Sequence, residues 1–304
     1  MVRKNSILFL LLVSLMLCGL GAKCFADAAA QFEQAEKYED EDNFEQAEAI
    51  YKGIAKDYAG KEDGLKAQQE LACLYVEAGR TAEAETAYKE LLAGYGDDSG
   101  IAEAVDDVAN AYRDVKKYDK ALEIYSYLVD TWGDSEQAME SQETVAKLYI
   151  ELGDDPNAEA AVDKLIAGFV DRDDIADAVR HVADEYREVK KYEKALQFYR
   201  QVVDSWPENE KAMLSQVSIA TLYIELGDDP NAEAAVDKLI AEFADRDDIA
   251  DAVDDVADEY RDIKNYEKAL GLYKCVVDTW PENEKAMLSQ VSITKLNIKL
   301  NDIS

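Results

Sequence analysis

Internal repetition constrains this chain more than any other feature of its sequence. The 17-residue segment ELGDDPNAEAAVDKLIA at 151–167 recurs unchanged at 225–241. The 14-residue segment WPENEKAMLSQVSI at 206–219 recurs unchanged at 280–293. Both pairs lie 74 residues apart, which indicates tandem duplication of one unit. A chain duplicated in this way is expected to form an array in which each unit packs on its neighbours.

The 74-residue unit divides into halves of 37 residues, marked by a ladder of alanines. These alanines are Ala47, Ala84, Ala121, Ala158, Ala195, Ala232 and Ala269. A second small residue stands 12 positions before each of them, and a tyrosine stands nine positions before. Apolar side chains at four, seven and eleven positions after the alanine trace one face of a helix. Each half-unit is therefore predicted to form two helices. The ladder alanine and the small residue 12 positions before it are expected to lie where these two helices meet.

Helix-breaking residues separate these faces. Gly79, Gly153 and Gly227 end the first helix in alternate repeats, and Asp155 before Pro156 is typical of a helix start. The sequence predicts an all-α fold, a right-handed α-solenoid of stacked antiparallel helix hairpins. We expect residues 27–304 to form a single solenoid of seven hairpins, followed by a closing helix in which Asn297 and Lys299 replace the Tyr223 and Glu225 of the preceding copy.

One repeat carries a known signature. Its residues are Val179, Val182, Ala183, Tyr186, Ala195, Tyr199 and Pro207. Their spacing resembles that of the tetratricopeptide repeat family, in its exported bacterial-envelope type with repeats of 37 residues. Valine stands where the family often has tryptophan, and alanine where it has glycine. The resemblance implies a non-catalytic scaffold whose first helices line a groove for a protein or peptide.

The amino terminus predicts export. Arg3 and Lys4 precede an apolar run at 7–17 that is shorter than the roughly 20 residues of a membrane span. Small residues at Cys24 and Ala26 favour signal-peptide cleavage after Ala26, so residues 1–26 would be removed. Lipidation of Cys18 or Cys24 is disfavoured by the residues before them. We expect a periplasmic or secreted protein.

The net charge and the residue types of the chain restrict the classes of function that it can have. A chain beginning at residue 27 keeps 30 basic and 66 acidic side chains, a net charge of −36. Such a chain is a poor partner for nucleic acid, because phosphate binding depends on lysine and arginine. His181 is the single histidine, and the acidic runs at 171–174 and 245–248 lack the spacing of a calcium loop. We therefore predict no enzyme activity, no cofactor and no metal site.

A partner-binding groove is predicted on the first helices, by analogy with the family. The residue after the repeat tyrosine alternates between two chemistries, which would give two stripes. In one set of hairpins it is Glu39, Arg113, Arg187 or Arg261, and in the other it is Val76, Ile150, Ile224 or Ile298. The candidate residues are Asn110, Arg113, Ile150, Arg187, Ile224 and Arg261. Asn110 alone matches the clamp with which some family members grip a peptide carboxyl terminus. The alternative for the arginines is pairing on their own helix, with Asp184 or Asp258.

These observations predict a protein-binding scaffold that acts after export, with an unidentified protein or peptide partner, as a monomer without a membrane span. Two alternatives remain open. The chain could be a component of an outer-membrane assembly or of a Tol-linked envelope complex. More remotely, it could be an accessory subunit of an enzyme.

Overall fold

The computed structural model describes residues 28–301, all of whose regular elements are helices. The signal peptide predicted for residues 1–26 lies outside this range. The helices are α1 (Ala28–Asp40), α2 (Phe44–Asp57), α3 (Glu62–Glu77), α4 (Thr81–Tyr95), α5 (Ile101–Asp114), α6 (Tyr118–Thr131), α7 (Glu136–Glu151), α8 (Asp155–Phe169), α9 (Ile175–Glu188), α10 (Tyr192–Ser205), α11 (Glu210–Glu225), α12 (Asp229–Glu242), α13 (Ile249–Asp262), α14 (Tyr266–Thr279) and α15 (Glu284–Asn301). None of these helices has both the length and the apolar character to cross a membrane.

Consecutive helices pack as antiparallel hairpins, and neighbouring hairpins pack on each other. Helix α3 packs on α4 and α5 on α6, while α3 also contacts α5, the first helix of the next hairpin. The same relations hold for α11, α12 and α13. We call α1, α3, α5, α7, α9, α11 and α13 the first helices, and their partners the second helices. The predicted all-α solenoid class is confirmed.

The contacts divide the chain into two compact units, the first ending at Ser141 and the second beginning at Gln142. The described part of the first unit holds α1 to α6 and the start of α7. The second holds the rest of α7 and α8 to α15.

Two kinds of turn join the helices of a hairpin. Gly79, Gly153 and Gly227 adopt positive φ angles of 69–76°, a region open to glycine without steric cost. In the alternate hairpins the same place is taken by Asp42, Lys116, Lys190 and Lys264, with φ of 55–66°. Asp154 and Asp228 cap the following helices, accepting hydrogen bonds from the backbone N–H groups of Asn157 and Asn231. The cap is therefore one residue earlier than the Asp–Pro pair predicts.

The alanine ladders form the seam inside each hairpin. The residues Ala47, Ala84, Ala121, Ala158, Ala195, Ala232 and Ala269 are at most 1% exposed. The alanines twelve positions earlier, Ala35, Ala72, Ala109, Ala146, Ala183, Ala220 and Ala257, are fully buried. Small side chains at both places let the two backbones approach closely, and tyrosines such as Tyr125 and Tyr199 fill the space beside them.

A buried amide reinforces alternate hairpins. The side-chain amides of Gln68, Gln142 and Gln216 donate to the backbone carbonyls of Ala87, Ala161 and Ala235 at 2.8–3.1 Å. Because Val105, Val179 and Val253 occupy this place in the other hairpins, the two hairpin types have different interiors. The sequence pattern did not reveal this contact.

Helix α15 repeats much of the sequence of the first helix α11, but no described helix follows it. Met213 and Ile224 of α11 are 2% and 1% exposed, whereas their counterparts Met287 and Ile298 of α15 are 69% and 57% exposed. The segments around the two methionines are identical, so the difference comes from the hairpin that covers α11. Asn297 and Lys299 make part of this surface polar, but its apolar residues remain.

Enlarging an alanine of the ladder should destabilise the fold. Ala195→Leu or Ala232→Leu inserts three carbons into a fully buried seam and should cost roughly 1–3 kcal/mol of unfolding free energy. Gln197→Leu, at an exposed position of the same helix α10, is the matched control. Urea titrations followed by circular dichroism measure the costs. Equal tolerance of the ladder and control variants would show that the helices do not meet closely at the alanines.

Candidate functional site

The first helices carry all six predicted groove residues, but the structure separates these residues into two groups. Ile150 and Ile224 are each 1% exposed and belong to the core, so they offer no surface to a partner. The predicted apolar stripe is therefore wrong at these two positions. The following hairpin covers them, as the exposure of Ile298 in α15 demonstrates.

The arginines of the predicted groove reach the surface, with side chains 30–37% exposed. Arg261 pairs with Asp258 at 2.5 Å on its own helix, as the alternative interpretation expects. Arg113 pairs with the adjacent Asp114 at 3.2 Å. Arg187 instead reaches from α9 to Glu225 at the end of α11.

Asn110 is held by its own hairpin. Its amide donates to Asp106 at 2.7 Å, and its oxygen accepts a hydrogen bond from the Tyr125 hydroxyl at 2.7 Å. Ser141 also donates to Asp106, at 2.5 Å, while burial raises the pKa of this carboxyl. Because both ends of the Asn110 amide are engaged, its role in the structure is to position α5 against α6.

The same contact recurs 74 and 148 residues later with a carboxylate in place of the amide. Tyr199 donates to Asp184, and Tyr273 donates to Asp258. The two carboxylates also accept hydrogen bonds from Arg180 and Arg261 respectively. This tyrosine contact orders the polar face of α5, α9 and α13.

A cleft in the first unit, between α3 and α5, concentrates acidic groups. It encloses about 690 Å³ and we call it the α3–α5 cleft. Its charged and amide side chains are Glu62, Lys66, Gln69, Glu70, Asp98, Glu103 and Asp107. Five carboxylates thus face a single lysine. Gln69 donates to Asp107 at 2.6 Å, which holds the two walls together.

Burial makes two of these carboxylates, Glu70 and Asp107, costly to ionise. It raises the pKa of Glu70 to about 7, with Lys66 opposing the shift and the carboxylates of Glu39 and Asp107 adding to it. Burial also raises the pKa of Asp107, assisted by repulsion from Asp106 and Glu103. Acidic residues are so frequent in this sequence that spacing alone could not single out these few.

The equivalent positions of the second unit have different chemistry. Glu143 and His181 stand where the first unit has Gln69 and Asp107, and His181 Nδ1 lies 3.2 Å from Glu143. Lys147 approaches the same carboxylate at 2.5 Å, and His181 Nε2 lies 3.5 Å from Asp177. The Lys147 ammonium therefore offsets the charge of Glu143 here. Among residues 28–301 no group of three or more His, Cys, Asp or Glu side chains is arranged to hold a metal ion.

Ile224 and Ile298 offer a matched test of which groove residues are buried. Ile224→Ala should cost about 2–5 kcal/mol, since it removes buried carbon atoms and leaves a cavity. Ile298→Ala, at the same place in the next copy, should cost much less because that side chain is mostly exposed. Urea titration of both variants provides the comparison. Similar costs at the two positions would contradict the burial of Ile224.

Glu70 should make stability depend on pH in a defined direction. Because its folded pKa is raised, its neutral form stabilises the fold below the unfolded pKa of 4.5, and this contribution is lost as pH rises through about 7. Glu70→Gln should therefore stabilise the protein at pH 8, on the order of 2 kcal/mol, and the gain should shrink toward pH 5. Glu103→Gln, an exposed change in the same cleft, is the control for denaturant titrations at both pH values. A Glu70→Gln gain that does not change with pH would contradict the assignment.

Comparison with known proteins supplies the family. Two family models, both described as tetratricopeptide repeat, match residues 69–136 and 186–254. No curated protein matches the chain.

Solved structures show only distant similarity. The C-terminal part of a TPR repeat-containing protein from Cytophaga hutchinsonii is 17% identical, with a TM-score of 0.43, covering 85% of this chain and 98% of that one. A tetratricopeptide repeat protein from Parabacteroides merdae is 16% identical, with a TM-score of 0.38, covering 88% and 98%. The apo form of RapI is 14% identical, with a TM-score of 0.44, covering 84% and 77%.

The match at 69–136 spans most of the α3–α4 and α5–α6 hairpins, and the match at 186–254 runs from the end of α9 through α10, α11 and α12 to the start of α13. The chain belongs to the tetratricopeptide repeat family.

Proposed function

We propose that this protein is a scaffold that acts after export and binds a protein partner on the surface of its first helices. Tetratricopeptide repeats generally mediate protein–protein interaction as scaffolds. The alanine seams serve the packing of the array, and the first helices also carry polar, partly exposed side chains such as Arg113 and Arg187.

The α3–α5 cleft is the observation that carries the proposal. Five carboxylates line it beside one lysine, and burial raises the pKa of two of them. Such groups destabilise the free protein. Positive side chains of a partner would relieve the repulsion, so we propose a partner that presents lysine or arginine to the cleft. The overall negative charge would also steer a basic partner toward this protein.

The three arginines are also part of the proposal. Arg113 lies in the first unit on α5, which also forms a wall of the cleft, and Arg187 and Arg261 hold the same place in the repeats of the second unit, on α9 and α13. Each is paired with a surface carboxylate, and such exposed pairs contribute little to stability. The arginines can therefore exchange these carboxylates for acidic groups of a partner at small cost. Ile150 and Ile224 are not part of the proposal.

Export is part of the proposal and is supported by the sequence of residues 1–26. The basic residues, the apolar run and the small residues before position 27 form the layout of a cleaved signal peptide. We propose that the repeats work in the periplasm or outside the cell, without cofactor or catalytic role.

The experiment is capture of the partner by cross-linking in the native host, followed by mass spectrometry. The cleft variant replaces Glu70 and Glu103 by glutamine and Asp107 by asparagine, which removes charge while keeping polar shape. It should lose at least tenfold in partner affinity, a change of about 1.4 kcal/mol or more. Increasing salt should weaken capture by the unmodified protein.

A matched control variant loses the same number of negative charges, but at positions outside the α3–α5 cleft. Asp57, Glu123 and Asp130 are exposed on second helices of the same unit, and replacing them by the corresponding amides should leave capture unchanged. Circular dichroism should show full helicity for both variants. Equal capture by the cleft and control variants would place the binding surface outside the α3–α5 cleft.

A further inference from the structure

Helix α15 exposes a row of side chains that its repeat counterpart α11 covers. Four positions on one face form this row, which we call the α15 stripe: Met287, Val291, Thr294 and Ile298. All four are exposed. In α11 the counterparts of the first, third and fourth are buried, and the counterpart of the second is half-buried. Helices α12 and α13 pack on α11, and no described helix takes their place on α15.

The α15 stripe has the spacing of a helix that packs along another helix. Its members are four, three and four residues apart, the spacing by which side chains form the seam between two paired helices. Three of the four are apolar, and these three are 45–69% exposed. A contiguous apolar surface of this kind is typical of a contact site. The surface therefore fits one further helix that lies along it.

The charge of α15 differs from that of the rest of the chain. Residues 285–301 contain three lysines and no acidic residue, in a protein with 66 acidic and 33 basic side chains. Lys295 and Lys299 are exposed in the second half of the helix, whereas Glu282 and Glu284 are exposed at its start. The two ends of the helix thus have opposite charge. Because the stripe itself carries no carboxylate, it does not repel another acidic chain.

A second copy of α15, lying antiparallel to the first, matches this surface in both respects. When the two stripes are paired about their common middle, Met287 of one copy meets Ile298 of the other, and Val291 meets Thr294. The lysine-bearing end of each helix then lies beside the glutamate-bearing start of the other, which is electrostatically favourable. A parallel pair would instead bring like charges together.

Helix α1, the first of the described helices, offers a poorer match to the stripe. Its exposed side chains are short or polar, such as Ala29, Glu33 and Glu36, and none of the large apolar side chains exposed among residues 28–301 belongs to α1. A head-to-tail contact between α15 and α1 would place apolar side chains against carboxylates. Such a contact would also repeat from molecule to molecule and form open-ended chains.

We propose that the α15 stripe is a dimerisation surface, at which two copies of this chain pair through antiparallel α15 helices with twofold symmetry. The dimer replaces the monomer that the sequence predicts. The inference does not depend on the proposed function. If that function holds, the dimer presents two α3–α5 clefts, and a partner with two basic segments would bind more tightly than a partner with one.

The contact is small, since each copy contributes four side chains, and small interfaces give weak association. We expect a Kd of roughly 10–100 μM. Urea titrations at about 1 μM protein, below this Kd, therefore observe the monomer.

Sedimentation equilibrium of the chain from residue 27 to 304 tests the association. Salt of about 0.15 M screens the repulsion between the two acidic chains. The protein should pass from monomer to dimer as its concentration rises from about 1 to about 500 μM, with no larger species. A protein that stays monomeric throughout, or that grows beyond the dimer, would overturn the inference.

A variant of the stripe locates the contact. Met287→Gln combined with Ile298→Gln removes two apolar side chains that are exposed in the free protein, so the melting temperature of dilute protein should be retained. The dimer should weaken at least tenfold. The matched control replaces Leu214 and Leu226 by glutamine, two leucines that are 41% and 46% exposed outside the stripe, and should leave the Kd unchanged. Equal Kd values for the two variants would contradict the assignment of the contact to α15.

Cysteine cross-linking tests the antiparallel orientation. In a background where Cys73 and Cys275 are replaced by alanine, chains carrying Met287→Cys are mixed with chains carrying Ile298→Cys and oxidised with diamide. The mixture should form intermolecular disulfides at least tenfold faster than either variant alone, because the two positions meet only across the antiparallel pair. Rates for a single variant that equal the rate of the mixture would overturn the pairing. No partner is present in these experiments, so their failure refutes this inference alone, whereas a failure to capture a partner refutes the proposed function.

Discussion

The close contact of two helices at the alanine seam is the interaction on which the rest of this structure depends. Fourteen alanines, two in each hairpin, are buried to at least 99% and set how near the paired backbones come. That distance decides which side chains fit beside the seam, and tyrosines such as Tyr125 and Tyr199 occupy the remaining space. Because the seam is fixed, one face of each first helix packs against the second helix of its hairpin, and another face can carry polar groups.

Among those polar groups are partly buried carboxylates, whose charge is compensated in one unit and not in the other. In the second unit, Lys147 lies 2.5 Å from Glu143 and offsets its charge. In the first unit, no lysine or arginine is paired with Glu70 or Asp107 at such a distance among the described residues, and burial raises the pKa of both. The fold tolerates this cost because stability is distributed over many hairpins. A surface that is unfavourable in the free protein and favourable beside a cationic partner is suited to recognition.

Duplication also lets single substitutions create local sites without altering the framework. The 74-residue copies share their helices and seams, yet Phe198 stacks on Tyr186 in one copy and Leu272 takes the place of Phe198 in the next. Gln69 bonds to Asp107 in the first copy, while Glu143 contacts His181 in the second. Differences between copies are therefore more informative about binding than the residues the copies have in common, which mostly serve packing.

The sequence by itself determined the helices, the seams and the polar turns, because these depend on local periodicity and on residues a few positions apart. It predicted the arginines at the surface, where Arg113, Arg187 and Arg261 are partly exposed. Only the tertiary structure decided that Ile150 and Ile224 are buried, because the hairpin that follows covers them and leaves Ile298 exposed. Only the tertiary structure also separated Glu70 and Asp107 from the other acidic residues. The physical reason is the same in each case: periodicity fixes which face of a helix a residue occupies, whereas burial and pKa depend on what the neighbouring helices bring to that face.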